Sequence, residues 1–153
     1  MITTSPRLSV VLIVTLLSAS TSPSAAVASQ SPALRAQVER AAASHGVPPK
    51  LAHAVVMLES RYRPRVVSKG NFGLMQIRYG TARAMGYRGA PSGLLNADTN
   101  LRYGMRYLAR GWKASGGDVC RTIAHYQTGR MVRSIPAVSR AYCARARRIM
   151  AKG

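Results

Sequence analysis

The chain has 153 residues, with 23 Lys and Arg against 4 Asp and Glu and a formal net charge of +19. A length of this order builds one compact core and excludes two. No basic run interleaves with aromatics and no nucleic-acid module is recognisable, so nucleic acid is not an expected partner. The charge itself leaves two readings open: attraction to anionic polymers or lipid of a cell envelope, or an Arg- and Ala-rich composition that simply gives a solvated surface.

Residues 1–28 read as a secretory signal. Met1 and Arg7 supply the positive start, residues 8–17 form a short apolar stretch, and a Ser/Ala/Pro-rich segment ends in Ala26-Val27-Ala28. The apolar run is short for a bilayer span, so cleavage after Ala28 is expected, with an uncleaved amino-terminal anchor as the alternative. Residues 29–153 then form a single domain exported to the periplasm or cell wall, without stable membrane insertion.

Glycine and proline divide that domain into helices with no sustained period-two alternation, so the expected fold class is mainly α. Ser31 and Pro32 start a first helix whose face is Leu34, Val38 and Ala41, and Gly46 stops it. Pro48 and Pro49 open a second helix that ends before Pro64. Residues 66–72 read as a loop, 74–85 as a short helix, and 86–97 as a second loop rich in glycine. Asp98 is placed to cap the next helix, in which Leu101, Met105 and Leu108 repeat at helical spacing and Gly111 closes the segment. Asp118 caps a further helix carrying Cys120, Ile123 and Tyr126, and Val138, Tyr142 and Ile149 outline a basic amphipathic last helix.

Cys120 and Cys143 fall on these last two helices. Their even number in an exported chain favours one disulfide, which chain entropy values at roughly 3 kcal/mol for a loop of this size. Two buried free thiols are the alternative, because spacing does not fix a pairing distance. His45, His53 and His125 show no ligand spacing with Cys, Asp or Glu, so neither a metal site nor a cofactor is expected.

Glu59 is the residue that carries chemistry. It is one of only 4 acids and lies in an apolar helix, where 3.6 residues per turn put it on the side of Leu51 and Val55 and away from Arg61 and Arg63. A buried carboxyl resists ionising and can hand its proton to a leaving oxygen, as general-acid cleavage of a glycosidic bond requires. The alternative is a surface glutamate paired with Arg63, four residues on. The second carboxylate that most glycosidases use is hard to find. Asp98 and Asp118 read as caps, and Glu39 sits beside Arg40 and one turn from Arg35.

Glu59-Ser60, then Gly73-Leu74-Met75-Gln76, then Ala124-His125-Tyr126-Gln127-Thr128-Gly129 follow in this order. At this spacing they resemble the soluble lytic transglycosylases, whose SLT domain is goose-type-lysozyme-like. The resemblance covers residues 34–129 and implies a single lysozyme-like helical domain with Glu59 as the lone catalytic acid and base. By the same resemblance Ser60, Gly73, Met75, Gln76, Tyr126 and Gln127 bind substrate, Ser60 orienting the reacting sugar and Tyr126 contacting Glu59 or that sugar. Four positions depart from the family pattern: Gln127 stands where asparagine is usual, Thr128 where alanine is usual, and Tyr79-Gly80 where Pro-Ala is common. The implied function is a peptidoglycan lytic transglycosylase, which cleaves the β-1,4 bond between N-acetylmuramic acid and N-acetylglucosamine and leaves 1,6-anhydro ends. The alternatives are a goose-type lysozyme-like hydrolase and a non-catalytic cationic wall-binding protein. Expected partners are the glycan strands and an envelope secretion or conjugation complex, with the protein itself a monomer.

Overall fold

The computed structural model describes Met1 and residues 31–152, so residues 2–28 of the expected secretory segment lie outside the described residues. Helix α1 (Pro32–Ser44) starts with proline in its first turn, although the Ser31 hydroxyl makes no capping bond. Helix α2 (Pro49–Glu59) buries Leu51, Ala52, His53, Ala54, Val55 and Val56 in succession. A helix apolar on every side belongs inside a fold, and α2 packs between α1 and the last helix, α6 (Ala137–Lys152). It stops at Glu59 because Arg61 and Tyr62 take φ values of 52° and 61°, left-handed conformations that no right-handed helix continues through. The reversal brings the Tyr62 hydroxyl back to 2.6 Å from His53 Nδ1.

The region expected to be a loop and a helix over 74–85 is different. Three short antiparallel strands occupy it, β1 (Val67–Ser68), β2 (Asn71–Phe72) and β3 (Ile77–Arg78), in the order β1-β2-β3. Ser68 pairs with Asn71, leaving Lys69 and Gly70 as a two-residue turn with φ values of 49° and 76°. Two positive φ values in succession give the hairpin turn whose twist matches its strands. Phe72 pairs with Ile77, so residues 73–76 form the second turn. Helix α3 (Tyr79–Ala84) begins only after it. Strands of two residues have no periodicity to read, and the buried Leu74, Met75 and Ile77 imitate a helix face.

Within the expected 86–97 loop, Pro91–Leu95 forms a 3₁₀ turn. Helix α4 (Ala97–Ala114) is capped by Asn96, whose side chain accepts from the Thr99 amide. Asp98 is not the cap; it lies in the first turn and accepts from Gln37 Nε2 on α1. Leu101, Met105 and Leu108 face the core as the spacing predicts. Gly111 does not close α4 but is buried within it, where a Cβ would come within 2.7 Å of His125 Nδ1. The glycine serves the close approach of helix α5 (Val119–Thr128). Asp118 caps α5, accepting from the Arg121 amide at 2.7 Å. A disulfide joins Cys120 of α5 to Cys143 of α6, with their Cα atoms 5.3 Å apart. Among the described residues no helix is long and apolar enough to cross a membrane.

Asn100 ties the hairpin to the helices. It is fully buried on α4; its Oδ1 accepts from the Met75 amide at 2.8 Å, and its Nδ2 donates to Phe72 O at 2.7 Å and Leu94 O at 2.8 Å. Asn100→Ala strands three buried polar groups and should lower the unfolding free energy in urea by about 3 kcal/mol. A loss below about 1 kcal/mol, no more than one ordinary hydrogen bond, would show that the hairpin docks without it.

Candidate active site

The end of α2 delivers Glu59 into a cleft of about 540 Å³ between the hairpin side and the C-terminal half of α5. Gln76, Tyr126 and Gln127, all expected to bind substrate, line it with Glu59. Asn71, Arg78, Thr81 and Tyr107 also line it and were not singled out from the sequence. Glu59 is the only acid in the lining.

Ser60, Gly73 and Met75 lie behind the cleft wall and do not line it. Ser60 is 1% exposed and its hydroxyl donates back to Val56 O, four residues earlier on the helix, as helical serines commonly do. Met75 is 0% exposed and points into the core. Gly73 has φ +70°, and a Cβ on it would meet Asn100 Nδ2 at 2.3 Å and Leu94 O at 2.5 Å. Only glycine fits there. Gln76 holds φ 44°, a left-handed conformation that costs a non-glycine residue roughly 1–2 kcal/mol. Its side-chain amide offsets this by donating to Gly73 O at 2.9 Å and Val66 O at 3.1 Å.

Tyr126 was expected to reach the glutamate or a sugar. Its ring lines the cleft, but its hydroxyl donates to Met75 O at 2.6 Å and so braces the hairpin turn. The phenol on the glutamate is Tyr142 of α6, which donates to Glu59 Oε1 at 2.9 Å. Its position next to Cys143 was the available signal, since a bridge to α5 brings this stretch of α6 inward.

The alternative pairing of Glu59 with Arg63 does not form. Arg63 Nε donates to Ser60 O at 3.0 Å, and Arg35–Glu39 is the only ion pair among the described residues. Burial pushes the Glu59 carboxyl above its ordinary pKa, against the smaller opposing pulls of the Tyr142 hydrogen bond and the Arg145 charge. Arg145 sits over the Tyr142 ring, 5.6 Å from its centroid, and does not contact the carboxylate as a salt bridge. Burial first, and the Glu59 charge second, raise both the Tyr126 and Tyr142 phenols far above their ordinary values. Both therefore stay protonated and act as donors. Glu59 Oε2 makes no hydrogen bond among the described residues and is not a sealed polar atom, so this oxygen is available to whatever enters the cleft.

A helical, lysozyme-like domain with one half-buried glutamate in its groove is the class that this geometry defines. The family model described as "Transglycosylase SLT domain" matches residues 37–136, and the chain belongs to that family. Tyr142 lies just beyond the matched span. The chain is similar to the endo-type membrane-bound lytic murein transglycosylase A of Klebsiella pneumoniae subsp. pneumoniae, with 43% identity over 79 residues, 46% of this chain and 39% of the relative. The Salmonella paratyphi B protein of the same description is 42% identical over 79 residues, with the same coverage of each chain. The chain thus spans about two fifths of the length of the curated relatives it matches. Among solved structures, lytic transglycosylase Slt of Pseudomonas aeruginosa shares the fold at TM-score 0.67 and 21% identity, covering 76% of this chain and 23% of that one. The 70 kDa soluble lytic transglycosylase SLT70 of Escherichia coli superposes at TM-score 0.56 with 26% identity over 75% of this chain and 18% of that one.

The raised carboxyl has a consequence for stability. A group whose pKa rises on folding stabilises the folded state while protonated; that contribution is complete below the unfolded value and is lost as pH climbs through the folded one. Glu59→Gln is neutral at every pH and still accepts from Tyr142. It should melt above the parent at pH 7 and together with it well below the ordinary value of 4.5. Identical melting temperatures at pH 7 would mean that Glu59 ionises in place without cost.

Proposed function

We propose that this chain cleaves peptidoglycan glycan strands as a lytic transglycosylase, at the β-1,4 bond between N-acetylmuramic acid and N-acetylglucosamine, with Glu59 as its catalytic acid and base. The observation that carries this reading is the solitary carboxyl of the cleft, held towards its protonated form and in no salt bridge among the described residues. Membership of the SLT family and the names of the curated relatives support the substrate class.

In the proposed reaction, Glu59 protonates the glycosidic oxygen as the bond to C1 breaks, and N-acetylglucosamine departs with that proton. The N-acetyl carbonyl of the muramic acid stabilises C1 in the interval. The Glu59 carboxylate then removes the proton of the 6-hydroxyl, whose oxygen bonds to C1 and closes the 1,6-anhydro ring. The acid is regenerated and no water is consumed. Tyr142 and burial act on opposite halves. The Tyr142 hydrogen bond favours the carboxylate, which eases release of the first proton, while burial favours the acid and draws the second proton back. Asn71 and Gln127 offer amide groups along the cleft for sugar hydroxyl and N-acetyl groups, while Gln76, whose amide hydrogens go to Gly73 and Val66, offers its carbonyl oxygen.

The formal charge of +19 suits a polymer that carries carboxylates, by long-range attraction that salt weakens. With this reading goes an exported monomer working in the periplasm or cell wall, beside an envelope secretion or conjugation complex. Glu59→Gln should slow solubilisation of purified sacculi by at least about a hundredfold, the lower range for loss of a general acid, while the variant still sediments with the sacculi. Solubilisation at the parental rate would remove Glu59 from the chemistry.

A further inference from the structure

Helix α6 holds its place on the core by unusual means. Its buried residues are Ser139, Tyr142, Cys143 and Ala146, so only Tyr142 presents a large side chain. Ile149 and Met150, half-buried, anchor its final turns. The first half has little else: Val138 is 68% exposed, and the sealed Ser139 hydroxyl finds no partner. The outer face carries Arg140, Arg145, Arg147 and Arg148, on a chain of charge +19 that repels them. Beyond the packing of α6 on α2 and α5, two specific links tie this half of the helix to its neighbours: the bridge from Cys143 to Cys120 on α5 and the adjacent hydroxyl of Tyr142 on Glu59 of α2.

These are neighbouring residues of one helix turn. A hydrogen bond of this kind contributes little on its own, and it forms only if the backbone beneath it is already in place. We propose that the Cys120–Cys143 disulfide is the positioning device for Tyr142, so that the hydroxyl engages Glu59 only while the two cysteines are oxidised. The bridge links α5, whose Tyr126 braces the hairpin turn, to α6, whose Tyr142 meets the carboxyl. The groups that face Glu59 from these elements are Tyr126 of α5 and Tyr142 and Arg145 of α6. The significance for catalysis rests on the function proposed above. The positioning itself can be measured without any cleavage.

The chain contains two glutamates, Glu39 and Glu59. Protein labelled with ¹³C at the glutamate side-chain carboxyl therefore gives two resonances, with Glu39 as the internal reference. Tyr142→Phe removes a bond that lowers the Glu59 pKa, so in the disulfide-bonded protein the Glu59 midpoint should rise. In Cys120→Ala/Cys143→Ala, and in the parent titrated with a phosphine reductant, the same tyrosine substitution should leave the midpoint unmoved, because the hydroxyl is no longer delivered. Equal rises with and without the bridge would overturn the proposal. So would global unfolding of both disulfide-free forms, seen by circular dichroism, since the bridge would then hold the whole domain and not one tyrosine. A failure of sacculus cleavage with the coupling intact would instead count against the proposed activity and leave the positioning role standing.

Discussion

A carboxyl that forms no salt bridge among the described residues sets the conditions for the rest of the cleft. Glu59 stands at the last residue of a helix buried along most of its length, and no basic side chain among the described residues forms a salt bridge with it. Had Arg63 reached it, the carboxylate would be favoured and proton donation at neutral pH would weaken. The left-handed turn at Arg61 and Tyr62 prevents that pairing by ending the helix before Arg63 can stand one turn above the glutamate. In place of a cation the carboxyl receives one neutral donor, Tyr142. Burial and that donor pull in opposite directions, and burial is the larger effect.

The opposing wall of the cleft is set by backbone more than by side chains. Residues 73–76 are a turn between β2 and β3, and the polar groups of that turn are held from three sides. Asn100 accepts from the Met75 amide, Tyr126 donates to the Met75 carbonyl, and Gln76 closes on Gly73 and Val66 with its own amide. Buried polar groups satisfied in this way give a stiff and specific arrangement. The substitution tolerance of the run follows from its packing: glycine where Asn100 and Leu94 press close, a deeply buried methionine, and a glutamine able to hold its own strained φ.

Much of this was legible in the sequence. Glu59 stood out because a carboxylate in an apolar run is costly, the two cysteines met in the fold, and Asp118 capped its helix, all through local or chemical rules. The rest depended on contacts distant along the chain. The hairpin was hidden because its strands are two residues long and its apolar residues imitate a helical face. Ser60 follows Glu59 directly, yet its buried hydroxyl bonds back to Val56 along the helix and does not reach the cleft. Tyr142 lies 83 residues from the carboxyl it touches and looked like an ordinary member of a helical stripe. Asp98 is not the cap because α4 begins one residue before it, at Ala97, which leaves Asn96 in the capping position and Asp98 free to accept from Gln37 across the α1–α4 contact.

Under the proposed function, one acid must serve two proton transfers, since the other three acidic residues are engaged away from the cleft: Glu39 with Arg35, Asp98 with Gln37 and Asp118 at the start of α5. With no second carboxylate in the cleft to activate water, the proposed reaction takes its nucleophile from the sugar. Digestion of purified sacculi in ¹⁸O-labelled water, with mass spectrometry of the released fragments, tests this most directly. The account predicts muramic acid ends lighter by one water than reducing ends and free of ¹⁸O. Reducing ends that carry the label would contradict it.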